Sequence, residues 1–328
     1  MNYGQSHRYL FKSLSRRSST RVAKTLLGAT LALGLRVVQV GASPNSWTDI
    51  MLSGELSIVS NNRYVHCIAA SRGLLYMLRT ESSYTALLSI DPASSVCTRL
   101  NAAAGVTRGT PFAKYGGSGV DAWDGKLYVF GGVVGVIDGI VIYSNDLHEF
   151  NPATRAGQQL DSAAGVTGSA PSVRYDVGIA ASNCSLFVTF GYGNPAWPED
   201  TFRFEISTKT WSELPSLNCY GLQEHGHTVL CDTSYVFGGQ RAGGPENTLF
   251  ALQVSDPAAQ WTTVAVQGDG LVGRERPALV TVSAKLVLFG GTACDGNGEK
   301  HVLNDLHLYR PHANTWAQVN NAAGQATL

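Results

Sequence analysis

The sequence predicts an all-β chain that folds as a β-propeller with five or six four-stranded blades. Five segments between residues 60 and 318 repeat one pattern of apolar strands and turns. The chain holds 36 Gly, which suits many short strands joined by tight turns because Gly adopts positive φ at little cost. No long stretch after residue 50 has the periodicity of an amphipathic helix. These observations favour a sheet protein over a helical one.

Each repeat has an apolar strand ending in two small residues, a variable loop, a second apolar strand, a turn, and a short strand that often begins with Trp. The first halves read GLLYMLRT (73–80), KLYVFGG (126–132), SLFVTFGY (185–192), SYVFGG (234–239) and KLVLFGG (285–291). The small pairs begin at positions 79, 131, 191, 238 and 290. One such sheet cannot bury both of its faces, whereas sheets arranged radially around an axis cover one another.

Glycine and tryptophan hold the fixed structural positions of the repeat. Glycine lets the backbone pass closely where a strand meets its loop, and tryptophan fills the space between neighbouring sheets. These positions are Gly131, Gly132, Gly191, Gly238, Gly239, Gly290, Gly291, Trp211, Trp261 and Trp316.

The pattern resembles the kelch repeat family over roughly residues 60–318. The resemblance implies an Arg sixteen residues before the first small residue, which is where Arg63 and Arg274 stand, and Arg174 stands seventeen residues before Gly191. Tyr115 and Leu222 replace it in the other two units. The predicted fold is therefore a kelch-type propeller.

Two units depart from the family pattern. The first has Arg79-Thr80 at the small pair and Val96-Cys97 where Trp is expected, and the second has Gly157 at the Trp position. A further Trp motif, SWTDI (46–50), precedes the first unit and predicts either a degenerate sixth blade or an extra strand at the seam. We place the propeller at residues 46–318, followed by a small polar tail at 319–328.

Residues 1–45 form a basic head with seven Lys or Arg and no Asp or Glu. This composition, rich in Arg and Ser, is typical of a mitochondrial presequence. The apolar stretch TLLGATLALGL (25–35) is short for a bilayer. We therefore expect a mitochondrial targeting segment that can also contact a membrane.

Two alternatives remain for the head. In a secretory signal peptide, Val40-Gly41-Ala42 would precede a cleavage site at Ser43, and the protein would be a secreted kelch binding protein. The head could instead be retained, as an anchor or in a cytosolic form. Without the head, 17 basic residues face 24 acidic ones, which argues against nucleic acid as a partner.

Six cysteines are spread along the chain without a C-x-x-C pair or a zinc-site spacing. They are Cys67, Cys97, Cys184, Cys219, Cys231 and Cys294. Buried free thiols are the favoured interpretation because Cys packs well in strands. A Cys219–Cys231 disulfide stays open for an oxidising compartment.

The two histidines of the EHGH motif are candidates either for metal binding or for packing. Alternate strand residues share a face, so His225 and His227 in EHGH (224–227) could bind a metal. However, His225, like His66, stands at the kelch His position, three residues after the Arg position, which favours packing. No metal or cofactor is predicted.

The axial-ring candidates Arg63, Arg174 and Arg274 come from equivalent places near one end of the axis. They could clamp a carboxylate or phosphate. Pairing with neighbouring carboxylates and carbonyls, which ties blades together, is the favoured role.

No residue set points to catalysis. The chain lacks a nucleophile elbow, a Walker loop and a dinucleotide fingerprint in a strand–helix context. Asp121 with Asp124, and Asp295 with Glu299, lie in Gly-rich stretches that predict solvated loop carboxylates. Nothing matches the motifs of the copper oxidases or sugar epimerases among kelch proteins, so no catalytic residue is predicted.

Two loops are unusually apolar or aromatic. Residues 133–142 form an apolar run between two strands, and Trp197 lies between two prolines. Apolar loops suggest cover by another surface, although an extension of the strands would also explain the run. The partner-binding candidates are Val133, Val134, Val136, Ile137, Ile140 and Trp197.

The sequence therefore predicts a non-catalytic protein–protein interaction platform, an accessory or assembly subunit of a larger mitochondrial complex with other protein subunits as partners. The alternative is a small-ligand-binding or sugar-active enzyme that uses the axial pocket. Convergence of the three arginines with unpaired carboxylates around one cavity would favour that alternative.

Overall fold

The computed structural model describes residues 65–80, 85–100, 117–193, 197–218, 221–265, 267–268 and 270–319, with the backbone of four short strands before them. Those strands are β1 (Leu10–Phe11), β2 (Arg36–Val40), β3 (Trp47–Met51) and β4 (Ser53–Gly54). β2 pairs with β3 antiparallel and with β1 parallel. The other residues of the predicted head lie outside the described ones.

Five sheets of four antiparallel strands follow one another along the chain and are numbered here as blades 1 to 5. Blade 1 contains β5 (Val65–Ser71), β6 (Leu74–Thr80), β7 (Thr85–Asp91) and β8 (Val96–Arg99). Blade 2 contains β9 (Gly119–Trp123), β10 (Lys126–Phe130), β13 (Leu147–Asn151) and β14 (Ala156–Leu160). Blade 3 contains β16 (Gly178–Ser182), β17 (Ser185–Thr189), β19 (Thr201–Glu205) and β20 (Thr210–Leu214).

The last two blades follow the same order. Blade 4 contains β21 (Gly226–Leu230), β22 (Thr233–Phe237), β25 (Leu249–Gln253) and β26 (Thr262–Thr263). Blade 5 contains β28 (Ala278–Val282), β29 (Lys285–Phe289), β32 (Leu306–Arg310) and β33 (Thr315–Gln318). Blades 1 and 5 each gain a fifth, parallel strand at the outer edge, β4 beside β8 and β27 (Gln267–Gly268) beside β33.

The loops between the second and third strands carry small extra sheets. Blade 2 has the hairpin β11 (Val133–Ile137) and β12 (Ile140–Tyr143). In blade 3, β18 (Tyr192–Gly193) pairs with β15 (Arg174–Tyr175). Blade 4 has β23 (Gln240–Arg241) with β24 (Gly244–Pro245), and blade 5 has β30 (Thr292–Cys294) with β31 (Lys300–Val302).

The first strand of each blade lies innermost. β5 packs beside β9, β9 beside β16, β16 beside β21, and β21 beside β28. All five strands border one axial cavity of about 60 Å³, whose lining includes Ala69, Val120, Ile179, Thr228 and Leu279. The predicted kelch-type propeller is therefore confirmed, with five four-stranded blades in the described part of the chain.

The core lies between the blades because each strand alternates its side chains between two neighbouring sheets. Trp211 lies edge-on to Phe130 of blade 2, with 5.7 Å between ring centroids. Trp261 reaches into blade 3, where its indole N–H donates to Thr201 Oγ1 at 3.1 Å. Trp316 meets Phe237 of blade 4 at 5.6 Å. Each tryptophan thus fills the junction with the preceding blade.

The small pairs mark close approaches between blades. Gly131 has a φ of 68°, and a Cβ added there would lie 2.6 Å from the carbonyl oxygen of Arg174. Gly238 has the same arrangement, with a Cβ position 2.5 Å from the carbonyl oxygen of Arg274. Only glycine fits both the backbone angle and the space.

The pair of blade 3 lies one residue earlier than the sequence alignment placed it. Arg174 donates to the carbonyl oxygen of Phe190 in the way that Arg274 donates to that of Gly290. Phe190 therefore takes the first position, with a φ of 49°, and Gly191 takes the second. Phe190 is fully buried and packs on Trp261 at 5.5 Å, so ring packing retains a non-glycine residue in the left-handed conformation.

Helical structure contributes little to the described residues. A 3-10 turn at Ser162–Ala164 is capped by Asp161, whose side chain accepts from the Ala164 amide. Within the described ranges, no helix has the length and apolar character that a membrane crossing requires.

Candidate functional site

One end of the propeller, which we call the loop face, carries the small hairpins and the chain entry into each first strand. Antiparallel pairing places the end of each second strand beside the start of the first. Backbone hydrogen bonds join the two features across blades, for example from the Gly132 amide to the Arg174 carbonyl at 2.8 Å. All predicted partner-binding and axial candidates that the structure describes lie at this end.

The blade 2 hairpin, β11–β12, exposes a continuous apolar tip. Val136 is 60% exposed, Ile137 63% and Ile140 62%. The two strands join at Asp138-Gly139, both at positive φ, which is the turn chemistry that a tight hairpin requires. Large aliphatic groups this exposed are costly unless another surface covers them.

The remaining candidates lie below that tip. Val133 and Val134, at the base of the hairpin, are half-buried. Trp197 of blade 3 is also half-buried, and its ring centroid lies 6.0 Å from that of Tyr192.

An aromatic cluster joins Trp197 to the hairpin. Tyr143, the last residue of β12, stacks on Tyr175 at 5.0 Å and lies edge-on to Tyr192 at 6.2 Å. Tyr175 and Tyr192 are 5.3 Å apart. The structure therefore brings two loops, separated by some fifty residues in sequence, into one surface.

A row of backbone hydrogen bonds runs from blade to blade beside this cluster. The Asp176 amide donates to the Gly117 carbonyl at 2.7 Å, the Glu224 amide to Asp176 at 3.2 Å, and the Arg276 amide to Glu224 at 2.7 Å. Each of the four residues stands two positions beyond the kelch Arg position of its blade and has positive φ. Equivalent positions of four successive blades thus converge.

The side chains of this row carry coupled charges. Arg276 forms an ion pair with Glu224. Burial raises the pKa of Asp176 to about 7, and the Glu224 carboxylate adds to the rise while Arg276 opposes it. Burial, followed by the charge of Asp176, raises the pKa of Tyr175 to about 12. The loop face therefore holds one carboxyl group, that of Asp176, whose pKa is raised to near neutral, next to the aromatic cluster.

The axial-ring candidates Arg174 and Arg274 are buried anchors. Arg274 donates to both carboxylate oxygens of Asp305 at 2.7 and 2.9 Å and to the Gly290 carbonyl at 3.0 Å. Burial alone would raise the pKa of Asp305, but the hydrogen bonds from His307 and Arg274 and the charge of Arg274 lower it to about 2. Arg174 makes the equivalent bidentate pair with Asp200.

Both guanidinium groups therefore serve their own blades, and they do not converge with unpaired carboxylates around the cavity. Arg63 lies outside the described residues. Each guanidinium pairs with a carboxylate and a carbonyl, as the favoured role predicted, but these partners lie in the same blade, so the side chains do not tie two blades together.

EHGH lies at the start of β21. His225 is buried, its Nε2 lies 2.8 Å from Thr189 Oγ1, and burial lowers its pKa to about 3. His227 Nε2 lies 2.9 Å from Ser234 Oγ. Among the described residues, no group of three His, Cys, Asp or Glu side chains has the arrangement of a metal site. His225 acts as a packing residue, while the side chain of His66 is not described.

Two expectations from the sequence are wrong, one about Asp121 and one about three cysteines. Asp121 is not a solvated loop carboxylate: it is buried and accepts from the Ala122 and Ala181 amides at 2.7 Å each, which joins β9 to β16. Three thiols expected to be buried are exposed, those of Cys184, Cys231 and Cys294.

The other members of these groups behave as expected. Cys97 is buried at the position that Trp takes in other blades. The Asp124 side chain is 86% exposed, and Asp295 accepts from amides of its own turn. Cys219 and the side chain of Cys67 lie outside the described residues, so the Cys219–Cys231 disulfide stays a hypothesis.

Sequence reasoning missed Tyr143, Tyr175, Tyr192 and the Asp176–Glu224–Arg276 row. The available signal was positional: the row residues occur at one offset from the Arg position in successive units. Repeated offsets identify residues that meet around an axis even when residue types differ.

A family model described as the KLHDC2/KLHL20/DRC7 Kelch-repeats domain matches residues 37–231 and 221–327. N-acetylneuraminate epimerase of Haemophilus influenzae (strain PittEE) is 33% identical over 119 residues, 36% of this chain and 29% of that protein. Acyl-CoA-binding domain-containing protein 5 of Arabidopsis thaliana is 22% identical over 172 residues, 49% of this chain and 26% of that protein.

A third relative is the Leucine-zipper-like transcriptional regulator 1 homolog of Drosophila melanogaster, 29% identical over 120 residues, 34% of this chain and 12% of that protein. This chain spans less than a third of the length of these curated relatives. The similarity follows the repeat, while the relatives' names describe different activities.

Proposed function

The chain belongs to the kelch-repeat family, and from that premise we propose that it is a non-catalytic binding platform for another protein. Its contact surface is the apolar tip of β11–β12 (Val136, Ile137 and Ile140) together with the aromatic cluster of Tyr143, Tyr175, Tyr192 and Trp197.

The observation that carries this proposal is the exposure of the blade 2 tip. Three large aliphatic side chains that are each about three-fifths exposed lie within five residues of one another. Covering a Val or Ile side chain is worth roughly 1.5–3 kcal/mol, so a partner that buries this tip gains substantial affinity. The turn at Asp138-Gly139 keeps the tip in one hairpin shape, which limits the ordering cost of binding.

The aromatic cluster supports the same function. Tyr and Trp are favoured at binding hot spots because they supply large, rigid contact area with a polar handle. Tyr143 belongs to both the hairpin and the cluster, so a partner on the tip lies close to Trp197 as well.

A small-ligand site at the mouth of the axis is the second candidate. The observation that favours it is the convergence of Asp176 and Glu224 with Arg276 beside Tyr175. A carboxyl group with a pKa near 7 is suited to acid–base work or to ligand recognition. The epimerase relative makes a sugar a reasonable first ligand class to test.

We further propose that the platform is an accessory or assembly subunit in a mitochondrion, and that the basic residues of the head direct it there. The support is the acid-free, Arg- and Ser-rich composition of residues 1–45. Reading the N-terminus of the natively purified protein by mass spectrometry tests this placement, and an intact Met1 would contradict presequence removal.

The platform is tested with the double substitution Val136→Asp and Ile140→Asp. Both residues are exposed, so the thermal unfolding midpoint should stay within about 2 °C of the natural protein. A stoichiometric partner that co-elutes with the natural protein in size exclusion should be lost, with affinity falling by at least about 100-fold.

The matched control is Val302→Asp in the blade 5 hairpin, where Val302 is 42% exposed in an equivalent loop. This variant should retain the partner. If the natural protein elutes as a partner-free monomer that turns over a sugar, and if Asp176→Asn abolishes that turnover, the second candidate replaces the platform.

A further inference from the structure

The backbone of β2 and β3 repeats the outer half of a blade. In blades 3 and 5 the tryptophan of the last strand pairs with the third-strand residue seven positions before it, Trp211 with Phe204 and Trp316 with Tyr309. β2 and β3 show the same register and spacing, since Trp47 pairs with Val40. The hairpin therefore has the geometry of a third and a fourth blade strand.

The connection that follows this hairpin is also that of a blade. Between blades 4 and 5, Gln267 lies six positions after Trp261 and pairs in parallel with Thr315, the residue before the tryptophan of blade 5. Ser53 lies six positions after Trp47 and pairs in parallel with Val96, the residue before the Trp position of blade 1. The chain therefore passes from β3 to blade 1 in the same way that it passes from the end of blade 4 to blade 5.

The propeller has a seam where such a blade would fit. The innermost strands pack side by side at four junctions, but within the described residues β28 shows no comparable packing against β5, although both border the same cavity. β28 is accordingly less buried than the first strands of blades 2 and 3. Two blades flank this gap with apolar faces.

The face of blade 5 that turns away from blade 4 carries its own apolar cluster. Val287, Phe289 and Leu306 are buried there, and Val280 and Leu308 are half-buried. They alternate along their strands with Leu286, Leu288 and Tyr309, which pack on blade 4.

Blade 1 has the matching face. Tyr76 and Leu78 pack on blade 2, so their strand neighbours Leu75 and Met77 belong to the opposite face. Both are at most 2% exposed, as is Leu88, which pairs with Met77. Two apolar faces therefore border the seam, and their side chains are already shielded from solvent.

We infer that β2 and β3 of this chain form the outer half of a sixth blade and occupy the seam between blades 5 and 1. The family match supports this assignment independently, because it begins at residue 37, inside β2. The propeller then begins no later than Arg36, ten residues before the boundary that the sequence predicted. Cleavage before Ser43 would remove β2 together with β1, which pairs with it in parallel.

Hydrogen exchange of the full chain tests the inference directly. The amides of 36–40 and 47–51 should exchange as slowly as those of β19 and β20, which are the equivalent strands of blade 3. Exchange of these amides as fast as that of residues 1–9 would overturn the assignment.

Two truncations provide the complementary test. A chain beginning at Arg8 retains β1 beside β2 and should keep the thermal midpoint of the full chain. One beginning at Ser46 should melt at least about 5 °C lower or fail to stay soluble, because the apolar faces at the seam lose their cover. Equal midpoints for the two truncations would overturn the inference. If neither truncation folds, the hydrogen-exchange result on the full chain decides.

Discussion

The hairpins of blades 2 and 5 leave the propeller at equivalent places and carry opposite chemistry. The tip of β11–β12 exposes Val136, Ile137 and Ile140. In β30–β31, Lys300 pairs with Glu275 and His301 lies 3.2 Å from Asp295, so the polar side chains find partners within the chain. The propeller fixes the position of each loop. The loop sequence decides whether the side chains at its tip pair within the chain or need another protein to cover them.

The largest expected effect comes from the Arg274 anchor below the blade 5 hairpin, which has no counterpart in blade 2, where Tyr115 stands at the Arg position. Arg274→Ala removes the guanidinium that holds Asp305 and Gly290 below the blade 5 hairpin. It leaves a partly buried carboxylate without its charge partner, and we expect a loss of about 3–5 kcal/mol in the free energy of unfolding. Urea denaturation measures it.

Arg310→Ala is the matched control, because Arg310 is exposed on β32. It should change the unfolding free energy by less than about 0.5 kcal/mol. Equal effects of the two substitutions would show that Arg274 is not an anchor.

Substitutions of two glycines test the contact between blades and the hairpin turn separately. Gly131→Ala places a Cβ 2.6 Å from the Arg174 carbonyl at a φ of 68°, so strain and overlap together should cost about 2–4 kcal/mol. Gly139→Ala, at the hairpin turn, has a φ of 79° but open space around it, and should cost about 1 kcal/mol. Thermal melts of both variants test the order, and a larger loss for Gly139→Ala would contradict it.

The charged row of the loop face should make stability pH-dependent. The pKa of Asp176 is raised to about 7 in the folded protein from an ordinary value of 3.8, so the folded state keeps a proton that the unfolded state has released. This contribution to stability is full below about pH 4 and is lost as the pH rises through 7.

Asp176→Asn removes that titration. Relative to the natural protein, the variant should gain stability between pH 5 and pH 8, as measured by urea midpoints at each pH. If the urea midpoints of the variant and of the natural protein change with pH in parallel, the pKa of Asp176 is not raised by folding. Arg310→Ala serves again as the control, since it should leave the profile unchanged.

The smallest expected effect is that of Trp197→Ala. Trp197 is half-buried at the edge of the aromatic cluster, so its loss should weaken partner binding by about 5–10-fold, less than the change at the hairpin tip. Titration calorimetry with the co-purified partner measures this. A larger effect than that of the Val136→Asp and Ile140→Asp pair would move the centre of the interface from blade 2 to blade 3.

The regular parts of the fold could be predicted because they are local and repeated. Gly131 and Gly238 were identifiable as close-approach positions, and Trp211, Trp261 and Trp316 as junction residues, because each recurs at a fixed place in the unit. The apolar character of residues 133–142 was visible in the sequence, which left open a loop covered by another surface or an extension of the strands.

Departures from the repeat were harder to predict. Phe190 shifted the alignment of blade 3 by one residue, since its left-handed backbone is held by packing against Trp261. Asp121 looked like a loop carboxylate, yet its acceptors face the Ala122 and Ala181 amides, the latter in the next blade. In both cases the decisive partner lies in a neighbouring blade.

The sequence by itself determined the repeating sheet unit, its Gly and Trp positions and the apolar character of one loop, because alternation and turn chemistry act between residues close in the chain. Only the tertiary structure decided that Tyr143 meets Tyr175 and that Asp176 meets Glu224 and Arg276. These residues are far apart in sequence and become neighbours because consecutive blades place equivalent positions side by side around one axis. Burial at this point, followed by the neighbouring charges, raises the pKa values of Asp176 and Tyr175.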